Sequence, residues 1–205
     1  STNLEVYKVA TGKLASVTIR AAKYCFGASD GFGIVLVDNS TGTTYNVTKV
    51  LDNTTASVAG TISVSGTGTT QCAIVENSST FYAAVEEHAS NDNVSVWSST
   101  DLATWTQLGT PYAVTGALSS LSITVDTNGL PIVASRSKTD NSSIQVTRYE
   151  DTNGDGTSTW TTLVSTLNGV NGGGGIVVAA GPSGQFVYAA DNSTAGSFVQ
   201  SYFPE

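Results

Sequence analysis

The sequence predicts an all-β fold, a small four-bladed β-propeller. Short runs of β-branched and aromatic residues alternate with polar residues, and turns rich in Gly, Asn, Asp and Ser separate these runs. No segment has the apolar spacing of a helix. The runs also recur in groups at a spacing typical of propeller blades. The second strands of these groups begin near residues 23, 81, 130 and 185.

The repeats divide a single predicted domain, residues 1–205. They cover roughly residues 14–52, 71–110, 119–166 and 174–203. Residues 53–70 are low in complexity and are interpreted as an insertion, either a long loop or an extra hairpin. The predicted strands are, in order, residues 4–10, 16–20, 23–28, 32–38, 45–51, 71–76, 81–87, 94–99, 104–109, 121–126, 130–136, 144–150, 159–165, 175–180, 185–191 and 198–203.

The fourth repeat lacks a last strand, and the N-terminal segment, residues 1–13, can supply it. If residues 4–10 pair with residues 198–203, the first strand completes the final blade and closes the ring. Closure removes the open strand edges that promote aggregation. A β-sandwich is one alternative fold. A subunit whose N-terminal strand completes a neighbouring copy in a filament is another.

The composition excludes some partners. The chain has only eight Lys and Arg residues and a formal net charge of −8, which argues against nucleic acid as a partner. No apolar run approaches the ~20 residues of a membrane-spanning helix, so no membrane insertion is expected. Only 12% of residues are charged, while Ser, Thr, Asn and Gly fill the polar positions. This composition favours an extracellular, cell-surface or virion-surface location.

The two cysteines, Cys25 and Cys72, each lie in a strand-like segment. We interpret them first as small buried hydrophobic residues. A disulfide is the alternative, although no spacing signature indicates it. With a single histidine, His88, a zinc site is not expected.

The clearest hairpin covers residues 94–108, VSVWSSTDLATWTQL. Its turn, Ser99 to Trp105, resembles the Asp-box of sialidase-like propellers, which has the form S-x-D-x-G-x-T-W. Here the motif is one residue short, and Ala103 stands where the family favours Gly. The resemblance implies that Ser99 and Asp101 bond backbone amides of the turn while Trp105 packs between strands. Trp160 occupies the equivalent place in the third repeat.

A second turn, residues 151–157, carries oxygen side chains at alternate positions, the arrangement a Ca²⁺ loop needs. It resembles the D-x-N-G-D-G loops of calcium-binding propeller repeats. Thr159 stands at the ninth position of the loop, and the twelfth position is not a Glu. This loop therefore lacks part of the usual set of calcium ligands. A hairpin turn made by Asn-Gly and Asp-Gly is the alternative. The predicted calcium ligands are Asp151, Asn153, Asp155 and Thr157.

Seven Asn-x-Ser/Thr sequons predict N-glycosylation of an exported protein, although the same residues are also ordinary turn formers. The candidate glycosylation sites are Asn39, Asn46, Asn53, Asn77, Asn93, Asn141 and Asn192.

Residues able to act on sugars are present, but no motif selects a catalytic set. Glycoside hydrolysis needs two carboxyl groups across a cleft. Aromatic side chains can stack on sugar rings, and Trp97 and Tyr112 are the candidate ligand contacts. The candidate carboxylates are Glu76, Glu86, Glu87 and Asp126.

These patterns favour a non-enzymatic structural or attachment protein, such as a capsid-decoration protein, a fibre or a surface-filament subunit. Its expected partners are copies of itself, other structural subunits, or cell-surface glycans. No enzyme activity is expected from this interpretation. A glycan-binding, lectin-like propeller is the alternative, and a glycoside hydrolase is the third interpretation.

Overall fold

The computed structural model confirms the all-β fold. It describes residues 2–8, 12–19, 24–29, 32–38, 43–51, 57–65, 71–88, 92–114, 116–137, 143–151, 157–165, 175–181, 185–190 and 198–202. These ranges contain eighteen strands and no helix, hence none that could cross a bilayer. The strands are β1 Thr2–Lys8, β2 Gly12–Ile19, β3 Tyr24–Ser29, β4 Phe32–Asp38, β5 Thr44–Leu51, β6 Ser57–Ser63, β7 Cys72–Asn77, β8 Thr80–His88, β9 Asp92–Ser99, β10 Thr106–Gln107, β11 Tyr112–Ala113, β12 Leu118–Val125, β13 Pro131–Ser137, β14 Ile144–Glu150, β15 Thr159–Ser165, β16 Ile176–Ala180, β17 Phe186–Ala190 and β18 Phe198–Tyr202.

The strands form one hairpin, β1–β2, and four larger antiparallel sheets. We call these sheets blade I (β3 to β6), blade II (β7 to β11), blade III (β12 to β15) and blade IV (β16 to β18). In blade II, β10 and β11 both pair with β9, so its outer edge is built from two short strands. The innermost strands β3, β7, β12 and β16 contact one another in this order. The sheets are therefore arranged side by side, as in a propeller.

The ring is not closed in the way the sequence predicted. Strand β1 pairs with β2 in a separate hairpin, and among the described strands β18 pairs with β17 only. The segment 16–20 was predicted as the first strand of the first repeat, but its described residues, 16–19, belong to β2 of this hairpin. A local hairpin needs only a short turn, whereas pairing the first strand with the last needs closure of nearly the whole chain. The four-bladed closed ring is thus not what the strand pairing shows.

Part of the predicted insertion at residues 53–70 is a strand. β6, Ser57–Ser63, is the outer strand of blade I and pairs with β5. A Cβ at Gly60 of this strand would lie 2.6 Å from the carbonyl oxygen of Ala103. Gly60 is therefore needed because the turn of blade II lies against this strand.

Apolar side chains fill the spaces between successive blades. On β8, Ala83 and Val85 join the cluster shared with blade I, while Ala84 joins the cluster shared with blade III. A third cluster joins blades III and IV and includes Ile132 and Phe186. Two-residue alternation thus gives blades II and III two buried faces each, whereas Val177 and Val187 on the other face of blade IV are exposed. Burying one such side chain stabilises the fold by about 1.5–3 kcal/mol.

Hydroxyl groups also join blade III to blade IV. Three alternate residues of β12 accept hydrogen bonds from alternate backbone N–H groups of β16. These bonds satisfy N–H groups along the edge of β16 that would otherwise lack a strand partner. The three pairs are Ser120 with Ile176 at 3.1 Å, Ser122 with Val178 at 3.1 Å, and Thr124 with Ala180 at 3.3 Å.

The interpretation of the cysteines as small buried hydrophobic residues is wrong for Cys72, which is disulfide-bonded. Cys72 begins β7, the innermost strand of blade II. The sequence contains one other cysteine, Cys25, which lies on the adjacent strand β3 of blade I. Because the two cysteines are far apart in sequence, only the packing of β3 against β7 reveals that their strands are neighbours.

Candidate functional site

The candidate site lies at the end of the molecule where the innermost strands begin, which we call the upper face. Because the strands of each blade are antiparallel, the second strands β4, β8, β13 and β17 end at this face. The ends of β8 and β13 place three charged side chains there, and all three are almost completely buried. Glu86 and Arg136 are 0% exposed and Glu87 is 2% exposed. A buried charge is costly unless polar partners compensate it.

Glu86 links blade II to blade III. Its Oε1 accepts a hydrogen bond of 2.7 Å from the backbone N–H of Leu118, the first residue of β12. Glu86 shares a face of β8 with Ala84, which packs in the cluster that also contains Leu118. The carboxylate therefore fixes the start of the innermost strand of blade III.

Glu87 points to the opposite face of β8, toward blade I. Its Oε2 accepts a hydrogen bond of 2.5 Å from the hydroxyl of Ser65, which follows β6. Ser65 itself is exposed, so Glu87 contacts a residue at the surface of the upper face. The backbone of β8 separates Glu86 from Glu87, and these two carboxylates cannot face each other across one substrate.

Arg136 was not singled out by the sequence, and the structure places it at the same end. It shares a face of β13 with Ile132 and Ala134, which pack against blade IV. Its carbonyl oxygen accepts a hydrogen bond of 3.4 Å from the Ser119 hydroxyl. The signal that could have found it is a shared pattern: the apolar second strands of two consecutive repeats both end in charged residues, FYAAVEE and LPIVASR.

Glu76 and Asp126 lie at the opposite end, where they hold hairpin turns. The Oε1 of Glu76 accepts a 2.6 Å bond from the N–H of Ser79. The Oδ1 of Asp126 accepts bonds from the N–H groups of Asn128 at 2.9 Å and Leu130 at 2.8 Å. Strand β12 separates Asp126 from the upper face by about 25 Å, at ~3.3 Å per residue. Glycosidase carboxyl pairs lie only about 5–9.5 Å apart, so Asp126 cannot be the partner of Glu86 or Glu87.

Asp101 holds the turn between β9 and β10. Its Oδ1 accepts bonds from the N–H groups of Ala103 at 2.9 Å and Thr104 at 2.7 Å, and from the Ser99 hydroxyl at 3.0 Å. The Thr104 and Ala103 amides and the Ser99 hydroxyl lower the pKa of Asp101. Leu102 adopts a φ of 64° and is buried between blades I and II. The indole N–H of Trp105 donates to the Leu102 carbonyl at 3.0 Å, so this turn is a structural unit.

Trp97 and Tyr112, the predicted ligand contacts, both make packing contacts. The indole N–H of Trp97 donates to the Ser95 hydroxyl at 3.0 Å, and its ring packs against the cluster between blades I and II. Tyr112 lies 5.3 Å from Trp160, ring centroid to ring centroid. Burial raises the pKa of Tyr112, and a hydrogen bond with Thr147 partly opposes this rise. Ligand contact by these two residues stays a prediction.

Trp160 joins blade III to the outer edge of blade II. Its indole N–H donates to the carbonyl of Leu108 at 2.8 Å, and its ring lies 5.1 Å from that of Tyr149. Trp105, by contrast, bonds within its own turn. The two tryptophans at equivalent places in the repeats thus make different hydrogen bonds.

The calcium and glycosylation predictions are only partly covered by the described residues. Asp151 and Thr157 are described, whereas Asn153 and Asp155 lie outside the described ranges. Within those ranges no group of three or more His, Cys, Asp or Glu residues could hold a metal. Calcium binding and glycosylation stay predictions. Three sequon residues, Asn46, Asn77 and Asn93, are half-buried, and the other four, Asn39, Asn53, Asn141 and Asn192, lie outside the described ranges.

Comparison with known proteins gives a likeness of fold. No protein-family model and no curated protein matches the chain. The GH43B protein of the Bacteroides ovatus xyloglucan PUL superposes with a TM-score of 0.53 at 13% identity, over 91% of this chain and 39% of that protein. A Dyadobacter fermentans protein of unknown function superposes with a TM-score of 0.58 at 14% identity, over 98% of this chain and 68% of that one.

A Fusarium graminearum α-L-arabinofuranosidase, solved with an iminosugar inhibitor, superposes over 94% of this chain and 69% of the enzyme, with a TM-score of 0.49 at 11% identity. The chain therefore spans well under half of the Bacteroides protein and about two thirds of the other two. The likeness to the Bacteroides protein supports the β-propeller fold.

The comparison overturns the expected function. The prediction of a non-enzymatic capsid-decoration, fibre or filament protein is wrong, because the Bacteroides GH43B protein, a glycoside hydrolase, has this fold. The expectation of no enzyme activity is wrong for the same reason. Composition misled the interpretation because hydroxyl-rich turns and a low charge density describe the surface and not the chemistry of a site.

Proposed function

We propose that the chain is a glycoside hydrolase that binds its substrate at the upper face. Two findings support this proposal: the likeness of fold to the Bacteroides GH43B protein, and the placement of buried carboxylates at the upper face. The observation that carries it is Glu87. Its carboxylate accepts a hydrogen bond from the Ser65 hydroxyl, whereas backbone amides donate to the carboxylates of Glu76, Glu86, Asp101 and Asp126.

Hydrolysis of a glycosidic bond needs one carboxylic acid to protonate the leaving oxygen and one carboxylate to activate water or attack the sugar. Glu76, Asp101 and Asp126 hold turns through backbone amides, and their removal would disrupt local structure. Glu87 carries no such role. Rotation of the exposed Ser65 side chain would free the Oε2 of Glu87 to accept a hydrogen bond from a sugar hydroxyl.

Glu86 acts as a positioning residue in this proposal. Its bond to the Leu118 N–H holds β8 against β12 and thereby fixes the strand end that carries Glu87. Loss of Glu86 would leave a backbone N–H of blade III without its acceptor, at a cost of about 1–3 kcal/mol. Such a change would lower stability and activity together.

The test uses a panel of neutral and acidic polysaccharides and measures release of reducing sugar by the wild-type protein and by Glu87→Gln. Glutamine keeps an oxygen that accepts the Ser65 hydrogen bond but cannot transfer a proton. We expect hydrolysis of one panel member, and a loss of at least about 10²-fold in kcat for Glu87→Gln at unchanged melting temperature. Failure of every substrate, or full activity of Glu87→Gln, would overturn the proposal.

An extracellular location is part of the same proposal. Disulfides form and persist in oxidising compartments, and Cys72 is disulfide-bonded. Polysaccharide substrates are also met outside the cell. The proposed location is tested by thiol labelling of the protein in its native source, before lysis. We expect Cys72 to stay unlabelled, because it is disulfide-bonded. Quantitative labelling of Cys72 would contradict the proposed location.

A further inference from the structure

Glu87 and its hydrogen-bond partner lie on different blades. Glu87 belongs to β8 of blade II, and the Ser65 hydroxyl that donates to it at 2.5 Å follows β6 of blade I. Ser65 is held to blade I by its neighbour Val64. The side chain of Val64 is buried between the two blades, and its N–H donates to the Thr43 carbonyl at 2.9 Å. The distance between Glu87 and its donor therefore depends on the placement of blade I against blade II.

Cys72 is a near neighbour of Glu87 in the sheet of blade II. Cys72 pairs with Val85 of β8, and both pack in the apolar cluster between blades I and II. Glu87 follows Val85 by two residues, so it points to the same face of β8. Cys72 and Glu87 are thus diagonal neighbours across two paired strands, a relationship that separates residues by about 7–8 Å.

The disulfide of Cys72 joins the two blades that Glu87 and Ser65 belong to. Cys72 is disulfide-bonded, and Cys25 on β3 of blade I is the one other cysteine in the sequence. A disulfide within the chain therefore links the innermost strands of blades I and II, which contact each other. Such a bond holds the Cα atoms of its two cysteines about 4.4–6.8 Å apart.

We infer that Cys72 is a positioning residue for Glu87, because its disulfide fixes blade I against blade II beside the carboxylate. This inference rests on the proposed function, since it concerns the residue that carries the proposed catalysis. A reacting group displaced by about 1 Å can lose about 10²-fold in rate. The apolar cluster between the blades remains when the disulfide is absent, so the protein then folds but hydrolyses its substrate slowly.

The disulfide can be removed in two ways. Dithiothreitol supplies two electrons and two protons, so the S–S bond becomes two thiols while the reductant closes to a cyclic disulfide. Cys72 is only half-buried, which favours access of a small reductant. The double variant Cys25→Ala/Cys72→Ala lacks the bond permanently. The reduced wild type keeps both side chains, and it decides the question where the double variant does not fold.

The test measures kcat and KM on a substrate that the oxidised wild type cleaves, well below the melting temperature of every form compared. The matched control is Ser122→Ala, which weakens the junction of blades III and IV and leaves blades I and II unchanged. Without the disulfide we expect kcat to fall by at least about tenfold and KM to stay within about threefold. Reoxidation of the reduced wild type restores its rate. Ser122→Ala keeps both constants within about twofold of the wild-type values.

Crystal structures of the oxidised and the reduced wild type give a readout that needs no substrate. We expect the distance from the Ser65 hydroxyl to the Glu87 carboxylate to increase beyond about 3.5 Å on reduction, out of hydrogen-bond range. An unchanged distance would overturn the inference. An unchanged kcat in the folded protein without the disulfide, or an equal loss of kcat in Ser122→Ala, would also overturn it.

The proposed function fails separately from this inference. It fails if no substrate is hydrolysed, or if Glu87→Gln keeps full activity. In either case the distance between Ser65 and Glu87 in the reduced protein alone decides whether the disulfide positions this carboxylate.

Discussion

The Ser122 hydroxyl accepts a hydrogen bond of 3.1 Å from the backbone N–H of Val178, and it is the middle one of three such bonds between the innermost strands of blades III and IV. Ser122→Ala removes the acceptor and leaves a backbone N–H without it, so we expect a loss of about 1–3 kcal/mol in unfolding free energy. Urea denaturation measures this loss.

The matched control for that experiment is Ser98→Ala. Ser98 is half-buried on β9, as Ser122 is on β12, and no side-chain hydrogen bond of Ser98 is among those described. We expect the unfolding free energy of Ser98→Ala to stay within about 0.5 kcal/mol of the wild-type value. If both variants lose the same amount, the hydroxyl bonds do not join the blades.

Gly60 tests the contact between β6 and the turn of blade II. Gly60→Ala would place a Cβ 2.6 Å from the Ala103 carbonyl oxygen and closer still to that of Leu102. Both atoms are backbone, so we expect a destabilisation of about 1–3 kcal/mol by overpacking. Gly175→Ala is the control, because nothing lies within 4 Å of its added Cβ. The melting temperature should fall for the first variant and stay level for the second.

Asp101 gives a prediction about pH. Its pKa is lowered in the folded protein from an ordinary value of 3.8, so its stabilising contribution is complete above pH 3.8 and is lost as the pH falls through the folded pKa. We expect Asp101→Ala to have a lower urea midpoint than the wild type at neutral pH, and the gap to narrow as the pH falls below 3.8. A gap that does not change with pH would show that the carboxylate charge is not what holds the turn.

The Cys72 disulfide predicts sensitivity to reductant. Reduction removes a constraint on the unfolded chain, and loss of a native disulfide commonly costs about 2–5 kcal/mol. We therefore expect dithiothreitol to lower the melting temperature of the wild type but not that of Cys72→Ala. Equal responses to reductant in the two proteins would contradict this account.

Strand positions were readable from the sequence because each strand carries its own alternating pattern. Strand β13, predicted as residues 130–136, is observed as Pro131–Ser137. Strand pairing was less readable, since it depends on which surfaces meet after folding. Gly60 illustrates the reason: the sequence does not show that the turn at Leu102 lies against it. The pairing of β1 with β2 was missed for the same reason.

The candidate site was harder to predict than the strands. Glu76, Glu86, Glu87 and Asp126 all resemble one another in the sequence, as carboxylates at or near strand ends. Which end each occupies, and whether a backbone amide holds it, depends on the paired sheets. Arg136 was overlooked because a single arginine after an apolar strand carries no motif, although it lies at the same face as Glu86.

The most direct test of the account compares the hydrolytic rate of Glu87→Gln with that of Asp126→Asn on a substrate cleaved by the wild type. Asn keeps the oxygen that accepts the turn bonds at Asp126, which lies at the far end of the blade. We predict a kcat reduced by at least about 10²-fold for Glu87→Gln and unchanged for Asp126→Asn, with both proteins folded. Equal rates in the two variants, or loss of rate only in Asp126→Asn, would contradict catalysis at the upper face.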